Sequence, residues 1–394
     1  MGTTTLGRFD TEAQRRGAEG LRIALCACLL CASASLCRAA GAAAAPTPDD
    51  GFLKGGDVSL LAKIEALGGV YRDNARAADA LAIFKARGCN CMRLRIFHSP
   101  NGRGPVVNDL AYTRKLARRI KAAGLKLLLD FHYSDTWADP GHQTKPAAWQ
   151  HLPFDQLKGR VFEYTRDVIA ALNKDGALPD VVQIGNEIRP GMLWPDGRVG
   201  GKFDTDAQWS QLAGLVGAGL RGVKAAAGPK RVRTMIHIDS GGSRGATRWF
   251  FDNLLARKVD FDMIGLSYYP WWHGSMDALR GNLAATSQRY KKDIVVVETA
   301  FPWAAKRFGR GKFVDKQGRL AAAHPQTPAG QRAFLAELIR TVRRTPGGRG
   351  KGVLWWAPEW LAVEGMPHHR QKLALFDERG RALPAMSAFA EAPR

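Results

Sequence analysis

Cysteine is nearly absent from most of this chain. Of six in 394 residues, Cys26, Cys28, Cys31 and Cys37 lie in the first 48, leaving Cys89 and Cys91 for the remainder. Two residues apart on what reads as one strand, these side chains point the same way and span too far for an unstrained bridge, so buried thiols are expected and a disulfide framework or cysteine metal site is excluded. Acids are outnumbered as well, 36 Asp and Glu against 58 Lys and Arg, for a net charge of +22, of which +20 remains beyond residue 48. Such a balance attracts polyanions. The cations are scattered along helical stretches such as "RKLARRIKAAG", however, and no nucleic-acid motif accompanies them, so a solvated basic surface is expected and nucleic-acid binding is not. No linker, low-complexity tract or short-period repeat interrupts residues 50 to 394. The chain also lacks an apolar run long enough to cross a membrane comfortably, the leading candidate being about 15 residues.

That candidate is "IALCACLLCASASLC". It follows Arg15, Arg16 and Arg22 and precedes the small residues of "RAAGAAAAP", the layout of a secretory signal peptide. A second reading, a lipoprotein anchor, rests on "LCAC". Residues 1–48 are therefore expected to be a leader and 49–394 a single domain, released to the periplasm or the exterior as a monomer.

With 45% hydrophobic residues, this domain can bury a large core, and an α/β barrel of roughly 250 residues or more fits its length. Eight apolar runs of strand length occur, at 55–59, 91–97, 126–133, 181–187, 231–239, 261–269, 293–299 and 352–360. Between them lie amphipathic helix patterns, several closed by Gly. Eight βα units with strands buried on both faces predict an α/β fold, a (β/α)8 TIM barrel.

The working face of such a barrel is the C-terminal end of its strands. Polar and aromatic residues gather there: Asp57, Arg93, Arg95, His132, Asp135, Asn186, Glu187, His237, Asp239, Tyr268, Tyr269, Glu298, Trp355 and Trp356. Any one of them could simply cap a helix, but eight strand ends converge on one rim. Glu187 ends the fourth strand and Glu298 the seventh, so their carboxylates face each other across the mouth. Paired carboxylates with aromatic walls suit glycoside hydrolysis: one protonates the leaving oxygen, and the other attacks the sugar or activates water. Indoles such as Trp137 and Trp272 suit the apolar faces of sugar rings.

Five blocks, "GGDVSLLAKIEALGGVYRDN", "LLLDFHYSDTWADPGHQTKPAAW", "VVQIGNEIRPGMLWPDG", "FDMIGLSYYPWWHG" and "VVVETAFPW", resemble the family 53 glycoside hydrolases, secreted endo-β-1,4-galactanases, over residues 52 to 360. The resemblance implies a clan A barrel and a retaining double displacement, with Glu187 as general acid/base, Glu298 as nucleophile and Asn186 on the sugar 2-hydroxyl. Arg93 or Arg95, with Arg93 expected nearer, and Tyr268 or Tyr269, would stabilise the Glu298 carboxylate; spacing alone separates neither pair, although only one of two adjacent tyrosines can face inward. His132 would orient the carboxylates or else be a packed, satisfied histidine. Trp356 would floor a sugar subsite, and Asp57, Asp135 and Trp137 would line the cleft. The implied partner is a polysaccharide, β-1,4-galactan, and no cofactor is expected.

Two departures stand out. Where the family pattern reads "YWEPAW", this chain reads "WWAPEW", so Ala357 replaces a Glu and an acid reappears at Glu359. Relatives can bind calcium through an acidic loop after the seventh strand, but here that stretch is basic, with a single Asp, Asp315, in residues 300–325. Calcium wants several oxygen ligands, so no metal is expected there. A barrel cleaving mannan or glucan, and a non-catalytic carbohydrate-binding barrel, are the competing readings.

Overall fold

Eight strands, each hydrogen-bonded in parallel to both neighbours, close into a barrel. The computed structural model describes residues 1–2, 51–304 and 323–391, so the expected leader lies outside the described residues. The strands are β1 (Leu53–Asp57), β2 (Cys91–Ile96), β3 (Lys126–Phe131), β4 (Val181–Ile184), β5 (Arg233–Ile238), β6 (Met263–Tyr268), β7 (Asp293–Thr299) and β8 (Gly350–Trp356). Their spatial order is the chain order, β8 closing on β1. Helices α1 (Ala80–Ala86), α2 (Leu110–Ala122), α3 (Phe154–Lys174), α4 (Asp206–Ala227), α5 (Arg244–Ala256), α6 (Met276–Tyr290) and α7 (Pro328–Arg343) each follow the strand of the same number. Six start at a side chain that accepts an orphan backbone N–H, from Asp79, Asp109, Thr205, Ser243, Ser275 and Thr327. No helix among the described residues is long and apolar enough to cross a membrane.

Strand alternation explains the two cores. On β2, Met92, Leu94 and Ile96 face the helices and join the large outer core, while Cys91 packs inside the barrel with Leu53, Leu128, Val181, Met235, Met263, Val295, Val297 and Leu354. Cys91 and Cys89 are free and buried, and burial pushes the Cys91 thiol up to about 12. Cys89 sits just before β2 rather than on it.

The expected strands run on too far at their functional ends. β4 stops at Ile184, because Gly185 (φ 78°) and Glu187 (φ 49°) adopt left-handed backbone. A regular strand would turn the adjacent Asn186 and Glu187 to opposite faces; this turn lets both reach the mouth. β8 stops at Trp356, before Ala357 (φ 49°) and a proline without an N–H. Between β6 and β7 the register shifts after Leu266, so that Ser267 pairs with Glu298 and Val297 is skipped. The bulge puts Glu298 at the mouth although its neighbour Val297 already faces the lumen.

Gly55 shows how tightly β1 and β2 approach: a Cβ there would lie 1.9 Å from the Cys91 carbonyl oxygen. Gly55→Ala should cost about 3 kcal/mol or more in urea unfolding, because backbone must move to accept it. Gly159→Ala, in mid-α3 with nothing within 4 Å of the added carbon, should instead stabilise by about 0.5–1 kcal/mol.

Candidate active site

Above the apolar floor of the barrel the same alternation delivers a polar layer. Two residues on from Cys91, Leu128, Val181 and Met235 come Arg93, Asp130, Gln183 and His237, all buried. Arg93 is the hub. Its Nη1 lies 3.0 Å from Asp57 Oδ2 and 2.8 Å from Glu298 Oε1, and its Nη2 lies 2.7 Å from Asp130 Oδ2 and 2.8 Å from Asn186 Oδ1. Burial disfavours a charged guanidinium, but the surrounding carboxylates more than offset this and push its pKa up.

The two glutamates sit in unlike surroundings. Glu298 is 5% exposed, ion-paired to Arg93 and hydrogen-bonded by the Tyr269 hydroxyl at 3.1 Å. Glu187 accepts a 2.6 Å bond from the Ser267 hydroxyl and, among the described residues, has no guanidinium or ammonium on its carboxylate. Burial raises both pKa values. For Glu187 the Glu298 charge raises it further, well above the ordinary carboxyl range. For Glu298 the Arg93 cation opposes the rise. As a pair, Glu298 therefore loses its proton first and Glu187 keeps the one that remains.

The open choices resolve by contact. Arg93, not Arg95, meets Glu298; Arg95 pairs with Asp57 at 3.3 Å and lies 4.2 Å over the Trp137 ring. Tyr269 reaches the site, whereas Tyr268 faces away, donates to the Gly274 carbonyl and stacks on Phe334, as alternation from Ser267 requires. Asn186 accepts from Arg93 and donates to the Ala138 carbonyl at 2.9 Å. Trp356 stacks on Trp360 and lies 6.4 Å from Trp137, forming an aromatic cluster at the end of β8.

One expectation needs correction, and two more residues lie away from the glutamates. Asp57 is fully buried beneath the mouth, accepting from Arg93, Arg95 and the Ser59 N–H, so it cannot line a cleft; burial raises its pKa, but the two guanidinium groups more than reverse this and leave it lowered. Asp135 is a loop clasp, taking the N–H groups of Ser99 and Ala147 on its two oxygens. His132 accepts from the Ala138 N–H and presents Nε2 to Asp130 at 3.1 Å, so it touches neither glutamate.

Asp130, Gln183 and Ser267 escaped the reading of the sequence. The signal was present in the first two, since a polar residue inside "KLLLDF" or "VVQI" must face the lumen of a barrel whose outside is buried. Trp272, in the one-turn helix Pro270–His273 that follows β6, is 71% exposed beside Tyr269. Among the described residues no group of three or more His, Cys, Asp or Glu could hold a metal ion. The basic stretch expected to lack calcium falls largely on 305–322, outside the described residues.

The model for glycosyl hydrolase family 53 matches residues 53–389. An uncharacterized protein of Niallia circulans is 44% identical over 86% of this chain and 94% of its own. An arabinogalactan endo-beta-1,4-galactanase of Thermothelomyces thermophilus is 34% identical over 85% of this chain and 98% of that protein. The solved GH53 catalytic domain of Ignisphaera aggregans superposes with a TM-score of 0.80 at 34% identity, covering 89% of this chain and 98% of that one.

The displaced acid, Glu359, does not take up a place in the mouth. It is fully buried, accepts the Leu60 N–H at 2.9 Å, and is pushed up to about 8 by burial and by the Asp57 charge. Between the unfolded carboxyl value of about 4.3 and that folded value, the unfolded chain sheds a proton that the folded one keeps, so this group's contribution is present at low pH and lost as pH rises. Glu359→Gln removes the titration. Thermal melts should show the variant gaining roughly 3.5 kcal/mol on wild type between pH 5 and pH 8.

Proposed function

The chain belongs to glycosyl hydrolase family 53, and from this we propose that it is an endo-β-1,4-galactanase acting by a retaining double displacement. The observation that carries the reading is the asymmetric pair of carboxylates at the ends of β4 and β7: Glu298 on a buried guanidinium, Glu187 on the Ser267 hydroxyl and, among the described residues, without a guanidinium. In the first step Glu187 protonates the glycosidic oxygen while Glu298 Oε attacks the anomeric carbon, and the aglycone leaves carrying that proton. In the second, Glu187, now ionised, takes a proton from water as the water oxygen attacks the anomeric carbon and Glu298 departs as carboxylate.

Several contacts support this assignment. Ser267 is the register partner of Glu298 and holds Glu187 with its hydroxyl, which favours the close separation a covalent mechanism needs, about 5.5 Å. Once Glu298 is esterified, its charge no longer raises the Glu187 pKa, so the acid of the first step becomes the base of the second. Asn186, anchored by Arg93 and Ala138, has an amide to offer the sugar 2-hydroxyl. The indoles of Trp356, Trp137 and exposed Trp272 serve as platforms for successive rings. The choice of galactan follows the names of the relatives. The leader-like first 48 residues support export, and the +20 remainder supports attraction to the acidic pectin that carries galactan.

Reducing-end release from β-1,4-galactan, with β-1,4-mannan and cellulose alongside, tests the substrate. Galactan alone should be cut, and cleavage of another glycan instead would overturn that choice. Glu298→Gln should keep its melting temperature yet lose at least about a thousandfold in kcat, and proton NMR of fresh product should show the β anomer first. Rising ionic strength should weaken activity on pectin-linked galactan more than on isolated galactan; equal salt dependence would sink the recruitment idea.

A further inference from the structure

A line of hydrogen bonds leads from Glu187 into the barrel. Glu187 Oε1 meets Ser267 Oγ at 2.6 Å, Ser267 Oγ meets His237 Nε2 at 2.8 Å, His237 Nδ1 meets Gln183 Nε2 at 3.1 Å, and Gln183 Nε2 meets Asp130 Oδ1 at 2.6 Å. Ser267, His237, Gln183 and Asp130 are all fully buried. The line continues through Arg93 to Glu298, so the two glutamates stand at the ends of one connected network.

The direction of each bond follows from its ends. Asp130, ion-paired to Arg93, accepts, so Gln183 must turn its NH2 group towards it. The second hydrogen of that NH2 is shared among the Gly185 carbonyl at 3.0 Å, Asn186 Oδ1 at 3.2 Å and His237 Nδ1 at 3.1 Å, and Nδ1 also faces the backbone N–H of Glu187 at 3.4 Å, a group that can only donate. Nδ1 therefore offers its lone pair. The other neighbour of Nδ1, Asn186 Oδ1 at 3.1 Å, has both its lone pairs met by donors, Arg93 at 2.8 Å and the Gln183 NH2 at 3.2 Å. Burial, reinforced by the Arg93 charge, holds His237 well below its usual pKa, so the ring is neutral and carries its one proton on Nε2. The Nε2–H donates to Ser267 Oγ, which leaves the Ser267 hydroxyl hydrogen for Glu187 Oε1. The opposite ring tautomer would require Ser267 to donate to His237 and Glu187 to spend its own proton on Ser267.

We propose that Ser267 and His237 are positioning residues for the general acid: they reserve Glu187 Oε1 as an acceptor, so that the proton to be transferred resides on Oε2. This deepens the acid/base reading of Glu187 and rests on it. The other groups facing Glu187 are Glu298 and Asp239, which raise its proton affinity, Arg93, which lowers it, and Arg189, clamped to Asp239 at 2.7 and 3.0 Å. A hydroxyl donates more strongly to a carboxylate than to a neutral carboxyl. Ser267 therefore lowers the Glu187 pKa, and losing it raises that pKa.

The test combines pH profiles of kcat/KM on β-1,4-galactan with nitrogen-15 NMR of the histidines in the wild-type protein. Ser267→Ala should move the basic limb upward by about one pH unit and lower kcat about 10- to 100-fold, while Ser267→Thr, which keeps a hydroxyl, should restore the limb. The NMR spectrum should show His237 as the neutral Nε2–H form across the active pH range, a result that needs no variant to fold. An unmoved limb in Ser267→Ala, or a ring proton on Nδ1, overturns the proposal. Glu187→Gln separates the two levels. If it is inactive while the Ser267→Ala limb stays put, only this inference fails; if it remains active on galactan, the acid/base reading fails and this inference with it.

Discussion

Arg93 is a full positive charge shut inside the mouth of a barrel, and the arrangement around it follows from making that charge tolerable. A buried cation is costly unless it is paired and hydrogen-bonded, and Arg93 meets three carboxylates and an amide oxygen from four different strands or strand ends through its two Nη groups, while its Nε has no partner among the described residues. It cross-links the barrel as it does so. Together with Arg95 it faces Asp57, Asp130 and Glu298, one more anion than cation if all are ionised. That surplus is a physical reason for Glu187, next in line, to keep its proton. In the proposed chemistry the imbalance disappears when Glu298 becomes an ester, which is also the moment at which Glu187 must lose that proton.

Regular strand geometry carries this network part of the way and then has to be broken. Alternation places Arg93, Asp130, Gln183 and His237 in one layer above the apolar floor. It cannot place Asn186 beside Glu187, nor Glu298 beside Val297, on the same side. The left-handed turn at Gly185–Glu187 and the bulge between β6 and β7 do that. A positive φ at a non-glycine residue costs free energy, and at Glu187 it is offset by the bond its N–H makes to His237 and by the Ile188 N–H on the His237 carbonyl. The departure at "WWAPEW" has a comparable logic. Ala357 occupies left-handed backbone in a buried position, and the acid two residues on turns inward to cap Leu60.

Much of this could be read from the linear chain. Eight apolar runs separated by amphipathic stretches dictate a parallel barrel, because strands buried on both faces need helices around them. Carboxylates at the fourth and seventh strand ends then meet across the mouth by ring geometry alone, and the polar residues inside apolar runs can only point into the lumen. What folding alone decided was Tyr269 over Tyr268, the burial of Asp57, the use of Asp135 as a loop clasp and the hydroxyl of Ser267 on Glu187, while the contact of Arg93, not Arg95, with Glu298 matches an expectation that spacing alone cannot establish. Each choice depends on a bulge, a turn or a partner from a strand far away in sequence. A spacing of two residues states which side chains share a face, but which of them touches a charge is settled only when the ring closes and brings those distant strands into contact.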